Sequence, residues 1–341
     1  MLAAVCDRPR EIHLREVEPP RPGPGEVLCR VRACGFCGSD LHIIEGTFPG
    51  VRYPLIPGHE WSGEVVEAGE GVEGFGPGDR IAIESHAGCG RCENCLRGRY
   101  TLCLNYGRRP HRHIGYTANG GFAEYCAVPV QCLHPIPDGL GFAEATLVTT
   151  AGTAVMALEG AGVETGDRVL VLGAGPVGML TAQFARFLGA GEVILTDVDD
   201  ARLALARDLG IGRPVHPGRD DLKAVVGEAG VDLAVECAGA PALIDEALGC
   251  LRRGGRLVLL GISGGKKAEI SADRIVLDNL TVYGSRAEGD RSCGRAIRAY
   301  ASGRLSSAAL VTHRFPLKEF PSAYEVFRHR RDGALKVVVE M

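Results

Sequence analysis

Four cysteines stand close together in one stretch, Cys89-x2-Cys92-x2-Cys95-x7-Cys103. Four soft thiolates at this spacing on one loop suit a closed tetrahedral zinc site. A zinc ribbon for nucleic acid is the rival use of such a cluster. It fails here because no basic helix follows and a dinucleotide-type unit does. That unit begins at VLVLGAGPVG, where an apolar strand runs straight into Gly173-Ala174-Gly175-Pro176-Val177-Gly178. In this pattern Gly173 makes the tight turn, Gly175 lets the backbone approach a pyrophosphate, and Gly178 lets the helix pack on the sheet. The helix that opens at Pro176-Val177 offers free N–H groups and a positive dipole end to the phosphates. The next apolar run, EVILTD, ends in Asp197, at the usual distance of about 20 residues for a carboxylate that binds the adenosine ribose hydroxyls. Such a carboxylate repels a 2′-phosphate. Arg202 lies nearby but inside the following helix. These residues predict NAD as the cofactor, with Asp197 and Arg202 at its adenosine end.

Two further clusters lie in the N-terminal part: Cys37-Gly38-Ser39-Asp40-Leu41-His42 and Gly58-His59-Glu60. Singly, a Cys or His in apolar surroundings is usually core, and a Ser or Asp usually serves a turn. Together they resemble the GxCxTDxH and GHE motifs of the medium-chain zinc-dependent alcohol and polyol dehydrogenases, at that family's usual separation. The cysteine lobe resembles the same family's structural zinc site, and the resemblance runs along the whole chain. It implies that Cys37 and His59 bind a catalytic zinc, which acts as a Lewis acid on the alcohol or carbonyl oxygen. It further implies Ser39 as the hydroxyl that hands on the alcohol proton and His42 as the relay to solvent. Asp40 would orient the zinc-binding histidine, and Glu60 would approach or transiently replace a zinc ligand.

One position departs from the family. The third protein ligand, a Cys, Asp or Glu, comes from the stretch that here reads Glu144-Ala145-Thr146-Leu147-Val148-Thr149-Thr150. Register places Thr149 at the ligand position, or Thr150 with a one-residue gap, and a neutral hydroxyl adds little affinity for zinc. Three arrangements stay open from the residues: Glu60 as the third ligand with water completing the shell, Glu144 reaching in from about a turn away, or a site without zinc that relies on Ser39 and other donors. The polyol and threonine enzymes of the family usually carry Glu-Pro or Asp-Pro at this point. GHEWSG and GGFAEYCAVP look similar to the aminocyclitol dehydrogenases of aminoglycoside antibiotic pathways, which oxidise 2-deoxy-scyllo-inosamine with NAD. The function implied is oxidation of a secondary alcohol on a polyol or aminocyclitol. The alternatives are a sorbitol- or threonine-type enzyme and a redox-inactive binding protein on the same scaffold.

The elements that must hold these groups are legible as three textures. Residues 1–145 read as short strands between Gly/Pro turns, among them EVLCRVRACG, HEWSGEVVEAG and DRIAIES. Residues 146–285 alternate strands (DRVLVLG, EVILTD, VDLAVECAG, GRLVLLG) with helices (VGMLTAQFARFLG, DARLALARDLG, PALIDEALGCLRR). That alternation predicts a doubly wound parallel sheet, a Rossmann domain in an α/β fold. Residues 286–341 return to mixed short elements and end in the strand-like ALKVVVEM. The resemblance implies that the first and last parts form one mostly β, GroES-like catalytic domain. Residues 105–119 read as a polar, mobile or substrate-facing loop. The other eight cysteines, Cys6, Cys29, Cys34, Cys126, Cys132, Cys237, Cys250 and Cys293, read mostly as small core hydrophobes.

The 48 glycines among 341 residues are roughly twice the average share of about 7%. Without a G-X-Y period they mark tight turns rather than collagen. A net charge of −4 leaves no basic footprint for nucleic acid or a membrane surface. No apolar run approaches the roughly 20 residues that span a bilayer, and the N-terminus lacks a signal-peptide h-region. A cytoplasmic enzyme is the expectation, and the resemblance implies a homo-oligomer, dimer or tetramer.

Overall fold

The structure, a computed structural model, describes residues 1–289, 291–305 and 307–341. Two compact units emerge: Met1–Gly152 with Glu288–Met341, and Thr153–Ala287. The expected borders stood at 145/146 and 285/286. The helix Val148–Gly160 carries the chain from the first unit into the second.

In the first unit the Gly/Pro turns cut the chain into β1 (Leu2–Arg8), β2 (Glu11–Glu16), β3 (Glu26–Gly35), β4 (Glu60–Ala68), β5 (Arg80–Ile83), β6 (His86–Ala87), β7 (Arg112–His113), β8 (Tyr125–Pro129) and β9 (Leu133–Pro135). The second unit supplies β10 (Arg168–Leu172), β11 (Glu192–Thr196), β12 (Arg213–Val215), β13 (Val231–Glu236), β14 (Leu251–Leu259) and β15 (Thr281–Gly284). The chain then returns to the first unit with the helix Ser292–Ala301, β16 (Val311–Pro316), the helix Phe320–His329 and β17 (Lys336–Glu340).

The catalytic sheet runs β16-β17-β3-β4-β5-β9, with β8 also paired to β3. The C-terminal strand is therefore no appendage. It lies antiparallel beside β3, with Val338 opposite Gly35, while Glu60 of β4 pairs with Gly35 from the other side. Under this sheet Phe36 packs on Phe122, Phe320 and Phe327 at centroid distances of 4.5, 5.3 and 5.0 Å. That cluster joins the C-terminal helix to the N-terminal strands through apolar burial.

In the second unit all the strands are parallel, in the order β12-β11-β10-β13-β14-β15. The order reverses at β10, which is where a ligand crevice forms in such sheets. The helical reading of PALIDEALGCLRR holds only to Cys250. Leu251 already pairs with Val231 as the first residue of β14, so strand pairing overrides the local helical pattern. No helix among the described residues is long and apolar enough to cross a membrane.

Turn chemistry decides the glycine loop after β10. Gly173 has φ +103°, a left-handed conformation that a side chain resists. A Cβ on Gly178 would sit 1.7 Å from the Gly173 carbonyl oxygen, whereas one on Gly175 would meet nothing within 4 Å. The two substitutions should therefore separate. Gly178→Ala should force the helix Pro176–Phe187 off its strand and lower the melting temperature by several degrees, as overpacking costs about 1–3 kcal/mol. Gly175→Ala should leave the melting temperature within about a degree and weaken only dinucleotide binding. Thermal scans with and without cofactor check both, and equal destabilisation by the two variants would contradict the assignment.

Candidate active site and metal centres

The lobe cysteines come together as their spacing implies. All four Sγ atoms lie within 4.8 Å of one another. A tetrahedron with Zn–S bonds of about 2.3 Å has S···S edges of about 3.8 Å; Cys89–Cys95 and Cys92–Cys103 are each 3.9 Å apart. Gly88 makes room for this cluster, since a Cβ there would come within 2.7 Å of Cys95 Sγ. Hydrogen bonds from the backbone N–H groups of the turn at Arg91, and from the Asn105 amide, pull the Cys89 thiol down to about 6, toward the thiolate a metal requires. The residues fit a closed zinc site.

The second cluster is built at the start of the helix Gly38–Glu45. Cys37 is its N-cap, and the buried Asp40 in the first turn accepts the Cys37 N–H at 2.8 Å. The other Asp40 oxygen lies 3.5 Å from His59 Nδ1. This turns Nε2 toward Ser39 Oγ, 3.5 Å away, and Ser39 Oγ in turn donates to Cys37 Sγ at 3.3 Å. Burial works against a charge on His59, but Asp40 and Cys37 outweigh it and hold the imidazole well above its usual range. Ligand atoms of Cys37, His59 and Glu60 all lie within 4.8 Å of one another. Thiolate, imidazole and carboxylate form a donor set that suits zinc. His42, on the same helix, makes no hydrogen bond to Ser39; its Nδ1 meets Thr47 Oγ1 at 3.0 Å near the surface.

Residues 105–119 are an irregular loop, as expected, but the second half of it folds inward. His111, His113, Ile114 and Tyr116 are buried, and β7 pairs with β6 through His113 and His86. Tyr116 is the residue that sequence reasoning missed. Its hydroxyl donates to Ser39 Oγ at 2.7 Å and lies 3.3 Å from His59 Nε2. Burial pushes that hydroxyl well above its usual range, so it stays a donor. The ring stacks on His113 at 3.6 Å, and His113 stacks on His86 at 3.7 Å. His86 then meets Glu288 at 3.1 Å. Burial pushes the Glu288 carboxyl up, but His86 and Ser85 outweigh it and hold it near 2. Nothing in the local sequence marks Tyr116, because a tyrosine in a polar loop is unremarkable until the loop folds inward.

The third-ligand stretch also resolves. Thr149 turns its hydroxyl to the Ile83 carbonyl at 2.8 Å, while Thr150 donates to Glu60 Oε1 at 2.6 Å. The one-residue gap therefore describes the geometry better than the ungapped register. Glu144 is absent from the three metal-capable groups found among the described residues. Glu60 Oε2 is held by Lys336 Nζ, and both side chains are almost fully buried. Desolvation disfavours the ammonium, but Glu60 more than offsets this and the Lys336 pKa is raised. The lysine crosses Gly35, where a Cβ would lie 2.7 Å from Lys336 Cε. Its signal in the sequence was a lysine at the start of an otherwise apolar run in the terminal strand.

On the nucleotide side, Asp197 Oδ2 accepts the Ala174 N–H at 2.7 Å and Oδ1 accepts the Asp199 N–H at 2.9 Å. Arg202 lies 3.5 Å from Asp197 and 3.6 Å from Asp199. The carboxylate is thus locked to the glycine loop, with a guanidinium beside it.

The Glu60–Lys336 pair generates a stability prediction. Lys336→Met leaves a buried carboxylate without its cation and should cost about 3–5 kcal/mol in denaturant unfolding. Combining it with Glu60→Gln should recover much of that loss. A single Lys336→Met variant as stable as the parent would show that the pair is not a buried ion pair.

Comparison with known proteins agrees with this geometry. Residues 23–138 match the alcohol dehydrogenase GroES-like domain and residues 176–302 match the zinc-binding dehydrogenase domain. L-threonine 3-dehydrogenase of Pyrococcus furiosus is 37% identical over 350 residues, covering 100% of this chain and 98% of that one. Sorbitol dehydrogenase of Bacillus subtilis is 32% identical over 348 residues, covering 99% and 97%. Among solved structures, a Sinorhizobium meliloti 1021 protein bound to NADP superposes with a TM-score of 0.91 at 34% identity, covering 100% of this chain and 99% of the other. With both halves matched and relatives aligned almost end to end, the chain belongs to the medium-chain zinc-dependent alcohol and polyol dehydrogenase family.

Proposed function

We propose that this chain oxidises a secondary alcohol on a polyol or amino alcohol to the ketone, with NAD as hydride acceptor. The observation that carries the reading is the Cys37–Ser39–His59 arrangement: two zinc-type ligands with a hydroxyl within 3.5 Å of both. When bound, zinc supplies Lewis acidity to the substrate oxygen and NAD supplies the acceptor for the hydride.

Cys37 and His59 would hold the ion, and Asp40, 3.5 Å from Nδ1, orients the imidazole. Glu60 would contribute charge from a carboxylate that Lys336 and Thr150 already share, so this ion would be held more weakly than one in the closed cysteine lobe. Ser39 takes the alcohol proton as its own hydroxyl proton moves on toward water, while the hydride leaves the carbinol carbon for NAD and the ketone remains; His42, turned to Thr47 near the surface, would join this path only through an intervening hydroxyl or water. Tyr116, kept protonated, donates to Ser39 Oγ and so fixes its orientation as an acceptor. Asp197 binds the ribose diol of NAD.

The substrate class draws on the relatives. Threonine carries its secondary hydroxyl beside an amine, and sorbitol carries its own beside hydroxyls. An aminocyclitol such as 2-deoxy-scyllo-inosamine presents both groups on one ring. NAD reduction with sorbitol, L-threonine, 2,3-butanediol, an aminocyclitol and ethanol should give the highest kcat/KM on a polyol or amino alcohol. Best activity on ethanol, or none on any member, would overturn the reading.

Two variant sets probe the mechanism. Ser39→Ala should slow hydride transfer by roughly 10²–10⁴-fold with metal content unchanged, the range for a lost proton-transfer group. Tyr116→Phe should cost about 2–10-fold, the value of one neutral hydrogen bond. Single-turnover rates check both, and a Ser39→Ala enzyme at parental speed would remove serine from the mechanism. For the cofactor, the parent should favour NAD over NADP by more than about tenfold in kcat/KM. Asp197→Ala should shift the ratio toward NADP by at least about tenfold, because Arg202 then faces the 2′-phosphate alone. An unchanged ratio would contradict this role for Asp197.

A further inference from the structure

The same geometry that brings together the lobe cysteines and the Cys37–His59–Glu60 set occurs a third time in the first unit. Ligand atoms of Glu84, His134 and Cys293 all lie within 4.8 Å of one another. The three residues come from distant parts of the chain. Glu84 directly follows β5, His134 is the central residue of β9, and Cys293 lies in the first turn of the helix Ser292–Ala301. No local sequence pattern unites them, and none of them takes part in the chemistry derived above.

We propose that Glu84, His134 and Cys293 form a third divalent metal site, selective for zinc-class ions. The donor set is one thiolate, one imidazole and one carboxylate, the soft and borderline combination that zinc prefers. A thiolate and a carboxylate together match the charge of a divalent cation. Glu84 Oε2 and His134 Nε2 already converge at 2.8 Å, and the other Glu84 oxygen accepts the Tyr100 hydroxyl. That leaves the carboxylate anchored by an outer partner in the manner of metal-ligating carboxylates. Glu84 and Cys293 are buried, while His134 is partly exposed. Cys293 Sγ is packed against Gly152, where a Cβ would come within 2.7 Å, so the sulfur cannot swing away into the helix Val148–Gly160.

A cavity of about 730 Å³ adjoins the cluster and is lined by Glu84, His134, Tyr100 and Gly294 among others. Through Glu84 and His134 it opens the cluster to solvent, with Arg291 and Arg298 also on its wall. Mechanically, the ion ties the returning helix Ser292–Ala301 to β5 and β9 of the catalytic sheet. It therefore staples the C-terminal part of this unit to its N-terminal part and adds a ligand-linked contribution to stability.

The test counts metal on the full chain. Parent and variant proteins are equilibrated at buffered free zinc and their metal content per folded chain is measured by mass spectrometry. His134→Ala and Glu84→Gln should each bind one zinc fewer than the parent. Cys37→Ser should lose a different ion, so that Cys37→Ser combined with His134→Ala loses two. That separation keeps a failure of the catalytic-zinc reading distinct from a failure of this one. Cobalt substitution gives a second readout: the parent should show more thiolate-to-cobalt absorption than His134→Ala, by one site's worth. Cys293→Ser should behave like His134→Ala if it folds. Because His134 is partly exposed, its variant carries the test if the buried cysteine variant does not fold. Equal zinc content and equal cobalt spectra in parent and His134→Ala, both folded by circular dichroism, would overturn the site and leave Glu84–His134 as an ion pair.

Discussion

Where β3, β4 and β17 lie side by side, a carboxylate and an ammonium meet beyond the reach of water. Glu60 opens β4 directly after His59, and Lys336 opens the C-terminal strand. Each charge alone would be expensive to bury, and together they compensate only if the strands hold them in register. Gly35 lies between them and has no side chain to block the approach. The end of the chain is thereby coupled to the residue next to a candidate metal ligand. The site cannot take its final shape until the last strand has docked. The phenylalanine cluster beneath the sheet supplies the apolar burial that drives this docking, while the ion pair fixes its register.

Around that pair the catalytic unit uses buried polar groups as positioning devices. Asp40 caps its own helix and faces His59; Thr150 and Lys336 divide the two oxygens of Glu60; Tyr116 reaches Ser39 from a segment held by the His113 and His86 stack. The pattern limits what Glu60 can offer a metal ion. A carboxylate that already serves a lysine and a threonine can lend charge to a cation, but it cannot approach one freely. The closed cysteine lobe has no such competition, because the partners of its sulfurs outside the cluster are N–H donors rather than cations.

The nucleotide-binding unit follows a different logic, in which backbone geometry does most of the positioning. The close approach at Gly178 and the positive φ at Gly173 set the path of the loop. Asp197 then binds backbone N–H groups at the loop and at the following turn. A carboxylate fixed in this way needs little further ordering to receive a ligand, which is the advantage of preorganisation. Arg202, 3.5 Å away, offsets part of its charge.

The local part of this protein was written in its sequence. The cysteine lobe spans few residues, so loop geometry alone assembles it. The strand–glycine–helix unit is likewise contiguous, and the alternation of apolar strands with helices specifies a parallel sheet. Cys37, Ser39, Asp40 and His59 were legible because two short motifs carry them. Tertiary structure alone decided what those motifs meet. Lys336, Thr150 and Tyr116 lie far from Glu60 and Ser39 in the chain; strand pairing across β3, β4 and β17 brings Lys336 there, the helix Val148–Gly160 brings Thr150, and the inward fold of residues 105–119 brings Tyr116. Glu84, His134 and Cys293 are the extreme case, since each reads alone as an ordinary buried or turn residue. Spacing encodes chemistry only where the backbone between the groups is short; elsewhere the ladder of the sheet sets the distances.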